Sequence, residues 1–340
     1  MKRRQLFVIW SVIILLFLFG CSGKEDISVS QGLYLGQKTP GMTPKIFAAG
    51  IVSTGYAEYQ IGFTPDGREL YLWLGEPPPH CVILWMTEEH NRWNALEVCP
   101  FSGKYVDMKF SVSPDGNKFL FSSNRPRKNG EKPSDNLNIW YMERIQNGWG
   151  DPSCFDSAVN TDRHDYYPTM AGNGNLYFMS DRDGGFGEDD IYMSRFIRGE
   201  WTEAKNIGAS INTGMNEGDP FIAPDESYII FCSRDREEGF GNNDLYISFC
   251  RKDGSWTRAE NMGNRINTPA EEVCPIVTHD GKYFFFSSNR KRIRSSSEIP
   301  LTFKQIITEL DSPGNGKNDI YWVDARVIEE LQPEELRYLR

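Results

Sequence analysis

Two stretches of this chain, "SVSPDGNKFLFSSNR" at 111–125 and "CPIVTHDGKYFFFSSNR" at 274–290, are versions of one phrase, and this repetition constrains the fold more than any other feature. In each, a turn containing Asp and Gly precedes an aromatic run, which is the pattern of two strands joined by a tight turn. The chain therefore consists of similar units, whose turns are centred on Asp66, Asp115, Asn173, Asp225 and Asp280.

Each unit contains enough apolar runs for four short strands. We place strand A before the turn, strand B after it, strand C at a phrase such as "DIYMS" at 190, and strand D at a Trp that follows a further turn. A period of about 50 to 60 residues with several short strands is typical of a β-propeller blade. The predicted fold class is all-β, a β-propeller of four-stranded blades, with five blades and six as the alternative.

The fifth unit lacks a Trp phrase, and the N-terminal region supplies a substitute. Residues 44–54, "PKIFAAGIVST", share the apolar spacing of "WTEAKNIGASINT" at 201–213. We predict that this segment adds the missing strand to the last blade and closes the ring, which removes exposed sheet edges. The propeller is predicted to span 44–326, with an insertion at 290–318 and a C-terminal tail at 327–340.

The first 20 residues are predicted to be an export signal. They combine a basic start, "MKRRQ", with the apolar run "LFVIWSVIILLFLFG". Cys21 follows directly, and Leu18–Cys21 resembles a bacterial lipobox, so we predict lipidation at Cys21 and a lipidated tether at 21–43. A signal cleaved without lipid and an uncleaved membrane anchor are the alternatives. The predicted location is the bacterial cell envelope, at the outer membrane.

The phrases "SPDG", "LYF", "SSNR" and "DIY" resemble the PD-type WD-repeat units of TolB-like propellers, over residues 44–325. Such propellers usually have six blades and serve as scaffolds, sugar binders, inhibitor domains and enzymes, so the resemblance implies a fold rather than an activity. We predict an envelope lipoprotein that binds a protein or glycan partner on the face formed by the B–C and D–A loops, called the loop face below. A carbohydrate hydrolase or lyase that uses acids in the funnel, and a structural scaffold, are the alternatives. No G-x-S-x-G occurs, which excludes a fused serine hydrolase of that type and favours a protein that is not an enzyme.

Every unit carries an acid eight residues before its turn. These acids are called the acid ring below: Glu58, Asp107, Asp165, Glu217 and Glu272. They either surround a ligand or form structural pairs with arginines at the end of strand B, namely Asp107 with Arg125, Asp165 with Arg182, and Glu272 with Arg290. Glu58 and Glu217 have no Arg in register. The predicted ligand-binding residues of the loop face are Glu58, Glu217, Asn212, Asn267, Arg290 and Arg292, near Ser53.

Charge and cysteine usage limit the remaining functions. A net charge of -10 argues against nucleic-acid binding, which depends on basic side chains. Six cysteines follow Cys21 without a C-x-x-C motif, so we expect packing residues and no metal site, with a disulfide possible between Cys81 and Cys99. The loops "DRDGGFGEDD" at 181–190 and "REEGFGNND" at 236–244 are predicted to be turns. No cofactor is predicted, and calcium in these loops is the alternative, although their spacing does not match a calcium loop.

The connection at 290–318 departs most from the repeat. It contains a basic cluster and "PLTFKQIITELD" at 300–311, which we predict to be a helix because it begins with Pro and ends before "SPGNG". Long connections of this kind often form lids or binding elements. The alternative is a helix that only covers the mouth of the channel.

Overall fold

The computed structural model describes residues 31–75, 81–128, 130–292 and 300–337. The predicted export signal and the lipidation at Cys21 lie outside the described residues. Within those ranges, no helix is both long enough and apolar enough to cross a membrane.

Five antiparallel sheets form a five-bladed β-propeller, as the sequence predicted. The chain begins with β1 (Lys45–Ile46). The first blade comprises β2 (Glu58–Phe63), β3 (Glu69–Gly75), β4 (Cys81–Glu89), β5 (Arg92–Trp93) and β6 (Glu97–Val98). The second comprises β7 (Asp107–Val112), β8 (Lys118–Ser123), β9 (Asn138–Ile145), β10 (Gly148–Trp149) and β11 (Ser153–Cys154).

The third blade comprises β12 (Asp165–Met170), β13 (Leu176–Ser180), β14 (Asp190–Ser194), β15 (Phe196–Ile197), β16 (Glu200–Trp201) and β17 (Lys205–Asn206). The fourth comprises β18 (Asn216–Ile222), β19 (Tyr228–Arg234), β20 (Asn243–Phe249) and β21 (Glu260–Asn261). The fifth comprises β22 (Glu272–Val277), β23 (Tyr283–Ser288) and β24 (Asp319–Asp324). The helices are α1 (Phe303–Leu310), α2 (Arg326–Glu330) and α3 (Glu334–Arg337).

The N-terminal strand closes the ring, which confirms the predicted closure. In the fifth blade β1 pairs antiparallel with β24, with Lys45 opposite Trp322 and Ile46 opposite Tyr321. The next residue, Phe47, is fully buried and its backbone N–H donates to the carbonyl of Ile320 at 2.8 Å. The last blade is thus built from both ends of the propeller, which ties the chain ends together.

The position of strand D differs from the prediction. Trp93, Trp149 and Trp201 lie in short hairpins beyond strand C, and Trp256 forms an isolated bridge with Cys250. The strands that pair with C on its outer side begin four residues after these four Trp residues, at Glu97, Ser153, Lys205 and Glu260. The Trp residues therefore mark the turn before strand D.

Side chains in the A–B turn explain why the repeated phrase forms a turn. In the second blade, Ser113 donates its hydroxyl to Asp115 at 2.6 Å, and Asp115 accepts the backbone N–H of Asn117 at 3.0 Å. Gly116 has φ +72°, a conformation that costs glycine little. The A–B and C–D turns together form the second face of the disc, called the turn face below.

The described chain ends both pack against the turn face. Leu35 is buried, Tyr34 contacts the rings of Phe63 and Tyr283, and Trp93 Nε1 donates to the carbonyl of Gly32 at 2.9 Å. The described part of the predicted tether therefore lies on the propeller rather than apart from it. Val327 and Ile328 of the predicted C-terminal tail are also buried, in α2.

The six described cysteines are all free, so the disulfide considered for Cys81 and Cys99 is absent. Both thiols are buried, and Cys81 Sγ accepts a hydrogen bond from Trp73 Nε1 at 3.1 Å. Their role is packing, as expected for buried thiols.

Candidate functional site

The acid ring is buried between the blades and does not surround the channel mouth. Each of its five residues is at most 1% exposed. Each stands at the first or second residue of strand A, the innermost strand, where the chain enters from the preceding D–A loop. Buried carboxylates need charged or hydrogen-bonding partners, and those partners reveal their role.

Four of the acids are held by arginines. In the fourth blade, Arg236 Nη2 lies 2.9 Å from Glu217 Oε1 and donates to the carbonyl of Ile211 at 2.6 Å, and its Nε donates to Ser233 Oγ at 3.0 Å. The guanidinium lies over the ring of Tyr246, 4.6 Å from its centroid. The corresponding distances are 2.7 Å for Arg125–Asp107, 2.5 Å for Arg182–Asp165 and 2.9 Å for Arg290–Glu272. Each arginine joins an acid, the preceding loop and an aromatic ring, and we call this unit an arginine clamp.

The expectation that Glu217 lacks an arginine partner is wrong. Its partner was missed because the fourth B strand is followed by one extra residue: Arg236 stands three positions after Ser233, whereas Arg182 stands two positions after Ser180. Asp235 takes up the extra length with φ +62°. Arg290 is likewise engaged by Glu272 and is not free for a ligand.

Glu58 is the exception, because none of the arginines in the described parts of the chain is paired with it. Its carboxylate accepts the backbone N–H of Thr54 at 3.1 Å and the hydroxyl of Thr54 at 2.5 Å. Burial raises the pKa of Glu58 to about 7, a shift that the Thr54 hydrogen bonds only partly oppose. Burial also raises the pKa of nearby Asp319 to about 6. Both carboxyls lie where the fifth blade meets the first, so the ring closes at a junction with titratable groups.

Asn212 and Asn267, predicted to bind ligand, are buried structural residues. Asn212 accepts the N–H of Ile191 at 2.9 Å and donates to the carbonyl of the same residue at 2.8 Å. Asn267 makes the same two bonds to Leu245, and Ser53 binds both backbone groups of Ile320 through its hydroxyl. These side chains fasten the D–A loop to strand C, and they present no free polar group to the loop face.

The central channel is closed by one side chain from each blade, a set that sequence reasoning missed. Its most polar contact is Lys109 Nζ to Asp219 Oδ1 at 2.8 Å, between the second and fourth blades. Burial alone would lower the pKa of Lys109, but Asp219 more than offsets this and raises it. This channel layer consists of Gln60, Lys109, Tyr167, Asp219 and Cys274, and the last four have positive φ at a bulge in strand A.

A funnel above the channel layer opens on the loop face. Its cavity of about 660 Å³ is bordered by Tyr59, Trp73, Met108, Asn289 and Lys317, among others. The rings of Tyr59 and Trp73 are stacked with centroids 4.7 Å apart. The funnel therefore offers an aromatic wall beside amide and charged groups, a combination common in binding sites.

The two Asp-rich loops are hydrogen-bonded turns. Asp190 Oδ2 accepts the N–H of Phe186 at 2.5 Å, and Asp244 Oδ2 accepts the N–H of Phe240 at 2.5 Å. Among the described residues, no group of three or more His, Cys, Asp and Glu side chains could hold a metal ion. The loops display their Phe side chains instead, which are 54% and 46% exposed.

The insertion contains the predicted helix, which lies on the loop face. Helix α1 begins at a Thr302 capping box with Gln305, and no residue of the helix is buried. The turn after α1 touches the loop before the first blade, where Asn315 Nδ2 donates to the carbonyl of Gly55 at 3.1 Å. Arg292, a predicted ligand residue, donates to the carbonyl of Pro313 at 3.0 Å and so stabilises the insertion itself.

Comparison with known proteins gives a fold and no family. No family model and no curated protein matches the chain. A solved structure of a BT0996–RGII complex superposes with a TM-score of 0.53 at 9% identity, covering 87% of this protein and 93% of that one. A glycoside hydrolase superposes with a TM-score of 0.52 at 9% identity, covering 86% and 93%.

TolB from Acinetobacter baumannii is a more remote match, with a TM-score of 0.46 at 15% identity. The alignment covers 79% of this chain and 57% of TolB, so the chain spans little more than half of that protein. The two superpositions with TM-scores above 0.5 are at 9% identity and support the propeller architecture alone.

Proposed function

We propose that this protein is a binding protein of the bacterial envelope that takes its partner on the loop face and is not an enzyme. The observation that supports binding at the loop face is the distribution of exposed apolar side chains. Thirteen large apolar side chains are exposed among the described residues, and eight lie on the loop face: Tyr56, Phe186, Met215, Phe240, Phe303, Ile306, Ile307 and Leu310. Clustered exposed apolar groups are characteristic of interaction surfaces.

The acid ring supports binding over hydrolysis. A glycosidase needs two carboxyl groups on opposite sides of the scissile bond, with substrate between them. The five acids of the acid ring are buried, and four of them are bound by arginine clamps. If such a carboxyl left its clamp to act in catalysis, the buried arginine of that clamp would lose its partner.

Saccharide binding in the funnel is the second candidate, and the stacked Tyr59–Trp73 pair favours it. Aromatic faces supply a broad apolar surface for a partly polar ligand, and Asn289 lines the same cavity. A panel of purified glycans tests this candidate directly. Binding that Asn289→Ala abolishes and Phe240→Ser leaves intact would assign the funnel rather than the rim of the loop face.

Site-specific photo-crosslinking in intact cells tests the proposed function. A photoreactive phenylalanine analogue replaces Phe240 on the loop face or, as the matched control, Phe196 on the turn face, since both rings are about half exposed. We expect a discrete adduct from position 240 and none from position 196. An adduct from position 196 alone, or no adduct from positions 186, 240 and 303, would contradict binding at the loop face and favour the scaffold alternative.

A further inference from the structure

The two Phe-bearing loops are built in the same way on adjacent blades. Each presents Phe between two glycines, in "GGFG" at 184–187 and "EGFG" at 238–241. The Asp at the start of strand C accepts the Phe backbone N–H, and an Asn of strand D donates to the same carboxylate: Asn206 to Asp190 at 2.9 Å and Asn261 to Asp244 at 3.1 Å. The backbone of both loops is therefore fixed by side chains of the blade beneath.

The second glycine of each loop fits against the neighbouring D–A loop. A Cβ at Gly187 would lie 1.7 Å from the carbonyl oxygen of Met215, and one at Gly241 would lie 2.0 Å from that of Ala270. Only glycine permits this approach. The contact holds each loop upright against the next blade and leaves Phe186 and Phe240 pointing away from the core, as their exposure shows.

The fold does not require phenylalanine at these positions. The hydrogen bond that closes each loop uses the backbone N–H of the Phe residue, which any residue except proline supplies. An exposed aromatic ring gains nothing from burial while the protein is free. A ring carried by a backbone that is already fixed loses less conformational entropy on binding than one on a mobile loop, as in the aromatic anchors of protein interfaces.

The surroundings of these rings carry excess negative charge. Exposed carboxylates flank both Phe residues, and the whole chain has a net charge of -10. Arg182 and Arg236 belong to arginine clamps, and Arg163 pairs with Asp183, whereas Arg234 is exposed. The exposed carboxylates of Glu188, Asp235, Glu237 and Glu238 outnumber this exposed arginine. The exposed acids are Asp183 and Glu188 in the third blade, and Asp235, Glu237 and Glu238 in the fourth.

We propose that Phe186 and Phe240 are paired anchors for a protein segment that combines apolar and basic side chains. This inference rests on the proposed function and specifies its partner. Apolar groups of the segment would cover the two rings, and its Lys or Arg side chains would face the surrounding carboxylates, since complementary charge increases association rate and specificity. An anionic lipid surface fits less well, because it would be repelled by the same carboxylates.

Two synthetic amphipathic peptides test the proposal. They share the same Leu and Phe positions and differ only in their polar positions, which are Lys in one and Glu in the other. Binding of each peptide to the purified propeller is measured by fluorescence anisotropy at low and high salt. We expect the Lys peptide to bind at least ~10-fold more tightly than the Glu peptide, with affinity that falls as salt screens the charges.

Substitutions then locate the binding. Phe186→Ser/Phe240→Ser is expected to weaken the Lys peptide at least ~10-fold, in the range of an interface anchor. The matched control, Phe196→Ser/Ile197→Ser on the turn face, should leave its affinity unchanged. Glu237→Gln/Glu238→Gln, which keeps both rings, should weaken the Lys peptide several-fold and reduce the salt dependence.

Three results would overturn the inference. They are equal affinity for the two peptides, unchanged affinity of the Phe186→Ser/Phe240→Ser variant for the Lys peptide, and tight binding to phosphatidylglycerol vesicles that depends on Phe186 and Phe240. These results can be distinguished from a failure of the proposed function. If position 240 crosslinks to a partner and any of the three results is also found, the loop face is still a binding surface, and only the proposal of a basic, apolar partner is refuted.

Discussion

The junction that closes the ring differs from the other four in how it holds its acid. At the four others an arginine clamp joins the acid, the preceding loop and an aromatic ring, as in Arg182 with Asp165 and Phe178. At the closing junction Glu58 is bound by Thr54, and its carboxyl has a pKa of about 7. Four junctions thus rely on paired charge, whereas the fifth is most stable when its acid is neutral.

The largest expected effect comes from breaking a clamp. Arg236→Met leaves the Glu217 carboxylate buried without its partner, so we expect the free energy of unfolding to fall by about 3–5 kcal/mol. Urea denaturation of the purified propeller measures this change. The control is Arg163→Met, whose ion pair with Asp183 is largely exposed and should contribute less than about 1 kcal/mol. Equal effects of the two substitutions would show that the clamps do not stabilise the junctions.

The closing junction should respond to pH instead. The pKa of Glu58 is higher in the folded state than its ordinary value of 4.5, so its contribution to stability is full below pH 4.5 and is lost as pH rises through about 7. Glu58→Gln stays neutral and offers Thr54 one donor and one acceptor, as a protonated carboxyl does. Relative to the wild type, the variant should gain about 3 kcal/mol between pH 4.5 and pH 8.

Denaturation curves across that pH range measure this gain. Glu217→Gln is the matched comparison, because it removes the charge that Arg236 needs and should destabilise the protein throughout the range. A Glu58→Gln curve parallel to that of the wild type would show that the carboxyl at the closing junction is not the titrating group.

The hydrogen bonds that join each D–A loop to strand C allow a smaller test of the difference between the closing junction and the other four. Asn212→Ala removes three hydrogen bonds and leaves both backbone groups of Ile191 without this partner, so we expect a loss of about 1–3 kcal/mol. Ser53→Ala removes weaker contacts with Ile320, at 3.1 and 3.3 Å, and should cost about 1 kcal/mol. Hydrogen exchange of Ile191 and Ile320 reports each tie separately. A larger loss of stability for Ser53→Ala than for Asn212→Ala would mean that the closing junction depends more on this hydrogen bonding than the third blade does.

The smallest effect is expected at the loop tips. Phe186→Ser/Phe240→Ser should change the free energy of unfolding by less than about 0.5 kcal/mol, because both rings are exposed and the bonds that hold the loops use the backbone. A thermal melt checks this result. A large loss of stability would show that the rings belong to the framework of the junctions.

The sequence predicted the propeller, the five blades and the closing strand because these depend on local patterns that repeat. The clamps are partly visible at that level: Arg125, Arg182 and Arg290 each stand two positions after the last Ser of strand B, whereas Arg236 was missed because Asp235 adds one residue. The Lys109–Asp219 pair could not be found in this way. Its residues are 110 positions apart and meet only because a ring of five blades has a narrow channel.

The roles of polar loop residues are the other point at which the sequence-based prediction differs from the structure. Asn212 and Asn267 stand in loops on the predicted binding face, where an amide is as consistent with ligand contact as with a backbone tie. Burial separates the two roles, and burial depends on how the next blade packs. The exposed rings of Phe186 and Phe240 present the converse difficulty, since the flanking glycines and acids are typical of turns and do not indicate that a ring is exposed.

The docking of residues 32–36 on the turn face bears on how the disc would stand on a membrane if Cys21 carries a lipid, as the sequence predicts. With Cys21 as the predicted lipid anchor, ten residues lead from the anchor to Gln31, a reach of at most about 35 Å. The turn face would then be directed towards the bilayer, and the funnel, α1 and the two phenylalanine rings would be directed away from it. A partner of the loop face would then be met from the aqueous side, away from the lipid surface.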